Sequence, residues 1–360
     1  SSRIDVLAGC RFAHFLQYGL RAQEREPAEF DSRFYGTFVH DVLEHVVQQT
    51  EREGGFAAVP RSRVQELAQE RMEQNAQTLL ETFPDSGRTG YLLRRTFDEV
   101  TQVVDELYDE LSVSAFRPKF CELEFSARGA LPGVAFAGER CRGVVEGFVD
   151  RVDVWQSGGR PYVRVVDYKT GKKSFDYTNV LHGRGLQMLL YLFALVRQGG
   201  HLLHGEPLPA GVLYFPARIE RVSVRDRLAQ AEIEKERRKQ LRRSGVLLNS
   251  DPVLEAMEPC GGSPRFLPYT LDKEGRKTGD LASFAQLSQL ERFVFRTVAA
   301  LGDELADGRI DPDPCIRDAK DSACAFCPYS EVCAGHEQPR WLKKITAEEF
   351  WQTLERREHG

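Results

Sequence analysis

Residues 143–169 read GVVEGFVDRVDVW (143–155), QSGGRP (156–161) and YVRVVDYK (162–169), and they decide the fold of this 360-residue chain. The two long runs are rich in β-branched residues and flank a short turn segment, which predicts a β-hairpin. Side chains at i and i+2 of a strand share a face, so Asp167 and Lys169 project together. If the runs pair, Asp150 meets Asp167 across the ladder.

Two carboxylates beside an ammonium group on one face suit a divalent cation with a cationic neighbour. Such a site can hydrolyse a phosphodiester. Asp153 lies three residues past Asp150 and faces away from it on an ideal strand, so we leave Asp153 outside the metal shell.

Composition limits the class of protein. The apolar fraction of 41% suits a globular protein, and we expect neither a membrane-spanning run nor a signal peptide. A net charge of −5 excludes an overall basic nucleic-acid binder, but a local basic track can still meet phosphates. The eight cysteines are clustered, which indicates metal binding in a reducing cytosol. Because the chain opens Ser-Ser without Met, we expect it to be part of a longer polypeptide.

Periodicity gives the order of the secondary-structure elements. Helices are predicted at 3–20, 36–50, within 61–116, at 184–198, 222–248, 281–306 and 346–357. Strands are predicted at 120–127, 142–155, 161–168 and 210–217, and a Gly/Pro-rich loop near 259–278. Three strands, a helix and a fourth strand predict an α/β fold with a mixed sheet and a crossing helix.

The hairpin motifs resemble a known family. GFVDRVD followed by VVDYKTG closely resembles the RecB-type branch of the PD-(D/E)XK nuclease superfamily. His40, in GTFVHDVLE, matches the family histidine on the helix before the sheet. Gln187 and Tyr191, in GLQMLLY, match its Q-x-x-x-Y motif and lie one helical turn apart. The resemblance implies a restriction-endonuclease-like core, with a mixed central sheet flanked by helices and helical insertions.

The resemblance also implies a role for each matched residue. Mg²⁺ or Mn²⁺ would be held by Asp150, Asp167, His40 and the backbone carbonyl of Tyr168. Lys169 would position or activate the attacking water, and Gln187 and Tyr191 would orient Lys169 and contact the substrate. Glu44 and Glu124 are expected near the site without being direct ligands.

Basic residues give two weaker predictions. Lys172, Lys173 and Arg184 are candidates for lining a DNA path. The run ERRKQLRR (236–243) fits either a solvated helix with paired glutamates or a contact to the DNA backbone.

A second site is predicted from cysteines. Cys324, Cys327 and Cys333 are clustered, and Cys10 is remote from them in sequence. Four thiolates suit a soft, four-coordinate metal site. The arrangement resembles the iron–sulfur staple of AddB-type nuclease domains, which implies a [4Fe–4S] cluster joining the two ends of the domain. Spacing alone leaves a structural Zn²⁺ site open, and it leaves Cys315 open as a replacement for Cys10.

The predicted domain organisation follows the resemblance. Residues 1–340 would form one nuclease domain, with a helical insertion at 51–118, an insertion and long helix at 220–306, and a cysteine-rich segment at 311–340. Residues 341–360 would form a helical tail. GKKS (171–174) lacks the spacing of a phosphate-binding loop, so another domain or subunit would supply any ATP-driven motor.

An AddB-type assignment implies a bacterial cytoplasmic nuclease that cuts single-stranded DNA during the resection of double-strand breaks, with an AddA-type helicase–nuclease partner and no membrane. Two alternatives stay open: a stand-alone iron–sulfur RecB-type exonuclease, and a catalytically silent DNA-binding scaffold.

Overall fold

A computed structural model describes residues 3–23, 32–82, 87–171, 174–219, 230–333, 335 and 338–359. The helices are α1 (Arg3–Gly9), α2 (Arg11–His14), a π-helical turn (Phe15–Gly19), α3 (Ser32–Arg52), α4 (Arg61–Thr82), α5 (Gly87–Val113), α6 (Tyr177–Leu181), α7 (Gln187–Gln198), α8 (Gly200–Leu203), α9 (Gln230–Gln240), α10 (Asp251–Met257), α11 (Phe284–Ala306) and α12 (Ala347–His359). The strands are β1 (Arg117–Phe125), β2 (Val134–Ala137), β3 (Arg142–Val145), β4 (Gly147–Ser157), β5 (Arg160–Lys169), β6 (Leu208–Pro216), β7 (Ser244–Leu248), β8 (Tyr269–Leu271), β9 (Lys277–Gly279), β10 (Leu281–Ala282), β11 (Cys315–Ile316) and β12 (Arg340–Trp341).

A mixed six-stranded sheet forms the centre, in the order β1-β4-β5-β6-β7-β10. Strands β1, β4 and β5 pair antiparallel, and β5 pairs with β6 in parallel. Parallel neighbours need a long crossover connection, and here the connection contains α7, which packs on β5 and β6. The prediction of an α/β fold with a mixed sheet and a crossing helix is confirmed.

Helices cover the sheet, and their apolar stripes build the core. Helix α3 buries Val39, Val42, Leu43 and Val46 and contacts β1 and β4. Helices α4 and α5 pack beside it. Helix α11 packs on α7, and α12 in turn packs on α11 and buries Phe350. The division into a nuclease domain and a tail stays a prediction.

A network of buried charges lies against the sheet. Asp153 accepts hydrogen bonds from Arg151 at 2.8 and 3.0 Å and from Arg164 at 2.8 Å. Glu110 of α5 ion-pairs with Arg164 at 3.1 Å and with Arg243 at 2.8 Å. All five side chains are almost completely inaccessible to water. Asp153 therefore has a structural role and lies outside the predicted metal shell, as expected.

The prediction of one helix over 222–248 is wrong at its carboxyl end. Residues 220–229 lie outside the described part of the chain, α9 ends at Gln240, and Ser244–Leu248 forms β7 beside β6. A Cβ on Gly245 would lie 2.0 Å from the Val212 carbonyl oxygen, so only glycine permits this approach of the two strands. Buried Val246 and Leu247 favour a sheet position over a solvated helix.

The basic run before β7 is divided between surface and interior. Arg243 is buried in the charge network, and Arg242 donates to the Leu267 carbonyl at 2.9 Å. Neither side chain belongs to a solvated helix, so that interpretation of the run is wrong for these two residues. Arg243 is buried and therefore cannot contact a DNA backbone.

Two shorter predictions also need correction. The expected helix 3–20 is interrupted at Cys10, whose backbone is extended and begins α2. The expected strand 142–155 is divided into β3 and β4 at Glu146, before Gly147 with φ +157. Among the described helices, none combines the length and the apolar character needed to cross a membrane.

Candidate active site

The β4–β5 hairpin brings the predicted acids together. The pair Arg151 and Val166 sets the register, and its continuation by one residue places Asp150 opposite Asp167. The backbone N–H of Tyr168 donates to Asp150 Oδ2 at 2.7 Å, which fixes that carboxylate against β5. The Lys169 ammonium forms an ion pair with Asp167.

Helix α3 adds His40 to the hairpin. Its Nε2 donates to the Tyr168 carbonyl oxygen at 2.8 Å, and its Nδ1 lies 3.5 Å from Asp150 Oδ2. The His40 ring also packs edge-on against the Tyr168 ring, with centroids 5.8 Å apart. The imidazole, the carboxylate and the carbonyl that the resemblance assigned to a metal therefore meet at one point.

The sequence interpretation missed a third carboxylate, Glu122. Strand β1 pairs Cys121 with Arg151 and Leu123 with Val149, so Glu122 lies opposite Asp150. Ligand atoms of His40, Glu122 and Asp150 all lie within 4.8 Å of one another. Like charges directly across a ladder repel, and a cation between them removes that cost.

An open pocket of about 520 Å³ leads to this third carboxylate, lined by Gly36, Thr37, His40, Asp41, Glu44 and Glu122. Glu44 is close to the site, as expected, and accepts a hydrogen bond from Gln48. Glu124 instead accepts from Ser126 at 2.7 Å. Glu122 could be identified only from the register between β1 and β4, which the sequence does not reveal.

The pKa values of two of the acids, Asp150 and Glu122, are raised above their ordinary range. Burial, followed by the Asp167 carboxylate, raises the pKa of Asp150 to about 6. Burial, followed by Asp150 and Glu44, raises the pKa of Glu122 to about 7. Closely spaced acids cannot all ionise without a counter-charge, so this donor set fits a divalent cation.

Gln187 and Tyr191 lie at the start of β4. The Tyr191 hydroxyl donates to the Glu146 carbonyl at 3.2 Å, and the Tyr191 ring stacks on Phe125 with centroids 4.8 Å apart. A Cβ on Gly147 would lie 2.1 Å from the Tyr191 hydroxyl oxygen and 3.8 Å from Gln187 Nε2. The pair thus positions the strand end three residues before Asp150, and its predicted contacts to Lys169 and substrate stay predictions.

The candidates for a DNA path are less complete. Arg184 lies 3.7 Å from Asp321, at the edge of the cysteine-rich segment. Lys172 and Lys173 lie outside the described residues. Their roles at DNA stay predictions.

The four predicted cysteines line one small cavity. Cys10, Cys324, Cys327 and Cys333 surround a volume of about 160 Å³ together with apolar and proline side chains. Cys315 is not part of that lining, since its buried thiol donates to the Ala8 carbonyl at 3.3 Å. The geometry therefore favours Cys10 over Cys315 as the fourth thiol.

The fold is α/β with a mixed central sheet. Its β4–β5 hairpin carries two carboxylates and a lysine, and a histidine adjoins them, which together define a nuclease-type site. The model of the PD-(D/E)XK nuclease superfamily matches residues 1–334. The chain belongs to this superfamily, which confirms the resemblance read from the hairpin.

Curated relatives point to one type of protein, named as the B-type subunit of an ATP-dependent helicase/deoxyribonuclease. The relative from Moorella thermoacetica is 33% identical over 339 residues, covering 92% of this chain and 29% of its own length. Those from Thermoanaerobacter sp. and Clostridium perfringens are 29% and 27% identical over 99% and 100% of this chain, and 32% of each relative is covered. The chain thus spans about a third of the length of these relatives, and the AddB-type resemblance is confirmed.

Proposed function

We propose that this chain is a divalent-cation-dependent DNA nuclease that cuts single-stranded DNA as one part of a helicase–nuclease. The observation that carries the proposal is the meeting of His40, Asp150, Asp167 and Lys169 around the β4–β5 hairpin. The names of the relatives support DNA as the substrate and an ATP-driven partner activity.

The chain's own donors fit the cation. His40, Asp150, Glu122 and the Tyr168 carbonyl converge from four elements, and Asp167 lies across the ladder from Asp150. When bound, Mg²⁺ or Mn²⁺ would polarise the scissile phosphate and lower the pKa of a water. The Tyr168 N–H keeps Asp150 in place before the cation arrives.

Lys169 supplies a positive charge that belongs to the protein itself, in addition to that of the bound cation. Its ion pair with Asp167 holds the ammonium beside the acids. From there it can orient the attacking water and offset the charge that develops on the phosphate. Asp167 therefore acts twice, as a candidate ligand and as the group that positions Lys169.

The first prediction tests this assignment. Asp167→Ala and Lys169→Ala should each lower Mg²⁺-dependent cleavage of a single-stranded oligonucleotide at least 100-fold, because each removes preorganised charge from the reacting phosphate. The Asp251–Lys277 ion pair, remote from the site in sequence and on other elements, offers matched controls. Asp251→Ala and Lys277→Ala should leave cleavage unchanged. Full activity in either site variant would refute the assignment.

We propose further that the four cysteines hold a [4Fe–4S] cluster. Their position around one cavity of about 160 Å³ supports a shared metal centre. Elemental analysis separates the cluster from a zinc site: iron supports the cluster, and one zinc per chain without iron contradicts it.

The assembly belongs to the proposal as well. We infer a helicase–nuclease partner of the AddA type and a bacterial cytoplasmic location. The chain matches about a third of the length of each relative. This supports the interpretation that the chain acts as part of a larger polypeptide rather than as a stand-alone exonuclease. The complete set of Asp150, Asp167 and Lys169 supports catalysis over a silent scaffold.

A further inference from the structure

A large cleft borders the active site on the side of the chain's amino-terminal helices. It has a volume of about 1250 Å³ and is bounded by α1, the π-helical turn, the β2–β3 hairpin and the carboxyl-terminal half of α11. Small-molecule pockets measure roughly 300–1,000 Å³, so the cleft suits part of a polymer better than a small metabolite.

The cleft exposes apolar side chains that water solvates poorly. Phe148 is 51% exposed and Val144 is 58% exposed, and both line it. Leu305 and Ile310 line it too and are similarly exposed. A concentration of exposed apolar groups in one concave surface marks a binding site.

The cleft adjoins the candidate active site through β4 and α7. Phe148 is two residues before Asp150 on the same strand, so their α-carbons lie about 7 Å apart. Gln187, at the first turn of α7, also lines the cleft. A ligand that lies on Phe148 and Gln187 is therefore within one nucleotide's reach of the acids.

Aromatic rings and a guanidinium group lie together where α1, α2 and the π-helical turn line the cleft. The Arg3 guanidinium lies 4.9 Å from the centre of the Tyr18 ring, and the His14 ring lies 5.0 Å from the same ring. Arg309 and Arg11 line the cleft as well, but Arg309 lies 3.9 Å from Glu304 and 3.7 Å from Asp311, and Arg11 ion-pairs with Glu304 and Asp313. Aromatic faces beside cations are the surface that single-stranded nucleic acid binds, with bases stacked and phosphates neutralised.

We propose that this cleft is the track for single-stranded DNA at the nuclease centre, with Phe148 and Tyr18 as stacking platforms and Arg3 as a phosphate contact. This proposal rests on the proposed function, because the track is taken to lead single-stranded DNA to a nuclease centre at Asp150. Beyond the proposed function, it assigns the path of the DNA and the residues that bind the strand.

The test measures binding apart from cleavage. A fluorescent 20-nucleotide single strand is titrated with the chain in EDTA, so that no strand is cut. Phe148→Ala and Tyr18→Ala should each weaken binding about 5- to 100-fold, the usual effect of removing one stacking ring. Arg3→Gln should reduce the slope of log affinity against log salt by about one. Affinity for a blunt duplex of the same length should change less.

Phe284 provides a matched control, since it is 50% exposed at the start of α11 and does not line the cleft. Phe284→Ala should bind as the unmodified chain does. Thermal unfolding of each variant checks folding, and photocrosslinking of a 5-iodouracil strand to the unmodified chain gives an independent readout. Crosslinks at Phe148, Tyr18 or Phe15 support the track.

Unchanged affinity in both ring variants, or crosslinks confined to other surfaces, would overturn the proposal and leave a protein partner as the occupant of the cleft. That result is distinct from failure of the nuclease proposal, which shows as cleavage that survives Asp167→Ala. Either result can occur without the other.

Discussion

At the scale of single residues, Glu122 shows how an acid can enter a site without a motif. Its backbone has φ +49, a conformation that costs free energy for a residue other than glycine. Strain of this kind persists where the surrounding structure enforces it. Here the enforcing contacts are the pairs of Cys121 and Leu123 with β4, which hold Glu122 opposite Asp150.

The raised pKa values of these two acids predict how stability depends on pH. A carboxyl whose pKa is higher in the folded chain than in the unfolded chain stabilises the fold at low pH, and this contribution is lost as pH rises through the folded value. With folded values of about 6 for Asp150 and about 7 for Glu122, the metal-free chain should lose stability between about pH 4 and 8. Solvent screens the half-buried Glu122, so the loss should be smaller than the two pKa shifts alone imply. We expect a loss on the order of 2 kcal/mol.

Urea unfolding of the chain in EDTA at several pH values measures this dependence. Glu122→Gln should flatten it, because an amide at this half-buried position does not ionise and does not repel Asp150, and Mn²⁺ should flatten it in the unmodified chain. Glu124→Gln, on the same strand and bonded to Ser126, is the matched control and should keep the full dependence. A profile that Glu122→Gln leaves unaltered would contradict the proposed cross-strand repulsion.

At the scale of elements, the hairpin depends on the buried charges behind it. Arg151 donates to Asp153 and, at 2.9 Å, to the Tyr168 hydroxyl. Tyr168 in turn offers its N–H to Asp150 and its carbonyl to His40. The charge network therefore supports the strand whose backbone shapes the active site.

Breaking this network should destabilise the chain strongly. Asp153→Ala leaves Arg151 and Arg164 without a shared carboxylate in a dry environment, and we expect a loss of about 3–5 kcal/mol in the free energy of unfolding. Glu274→Ala removes one partner of the exposed pair with Arg276 and should have no measurable effect. Denaturant unfolding compares the two, and a loss in Asp153→Ala as small as that in Glu274→Ala would show that the network adds nothing to stability.

At the scale of the whole molecule, the two ends of the chain are joined beside the cysteine cavity. Arg11 ion-pairs with Glu304 and Asp313, and the Phe12 N–H donates to the Asp311 carbonyl at 3.1 Å. Cys10 and Cys324 are 314 residues apart in sequence and line the same cavity. A covalent link across so long a loop restricts the unfolded chain, although the benefit grows only logarithmically with length.

Removal of one thiol should therefore affect more than the cavity. Cys10→Ala should lose most of its bound iron and lower the midpoint of thermal unfolding by several degrees, because the amino-terminal helices lose their link to the cysteine-rich segment. Cys260→Ala is the control, since this partly exposed thiol lies outside the cavity. Iron retained in full by Cys10→Ala would exclude Cys10 as a ligand.

Features that depend on short-range periodicity could be predicted from the order of the residues. Spacing of two in a strand placed Asp167 beside Lys169, and spacing of four in a helix placed Gln187 beside Tyr191. The hairpin, the helix that carries His40 and the mixed sheet follow from the same local patterns.

Features that depend on partners far apart in sequence are visible only in the folded chain. Cross-strand register put Glu122 opposite Asp150, and close packing on β6 made Ser244–Leu248 a strand. Burial turned Arg243 from a surface charge into the partner of Glu110. In each case local propensity is weak, and the free energy of burying and pairing a side chain against a distant segment decides the outcome.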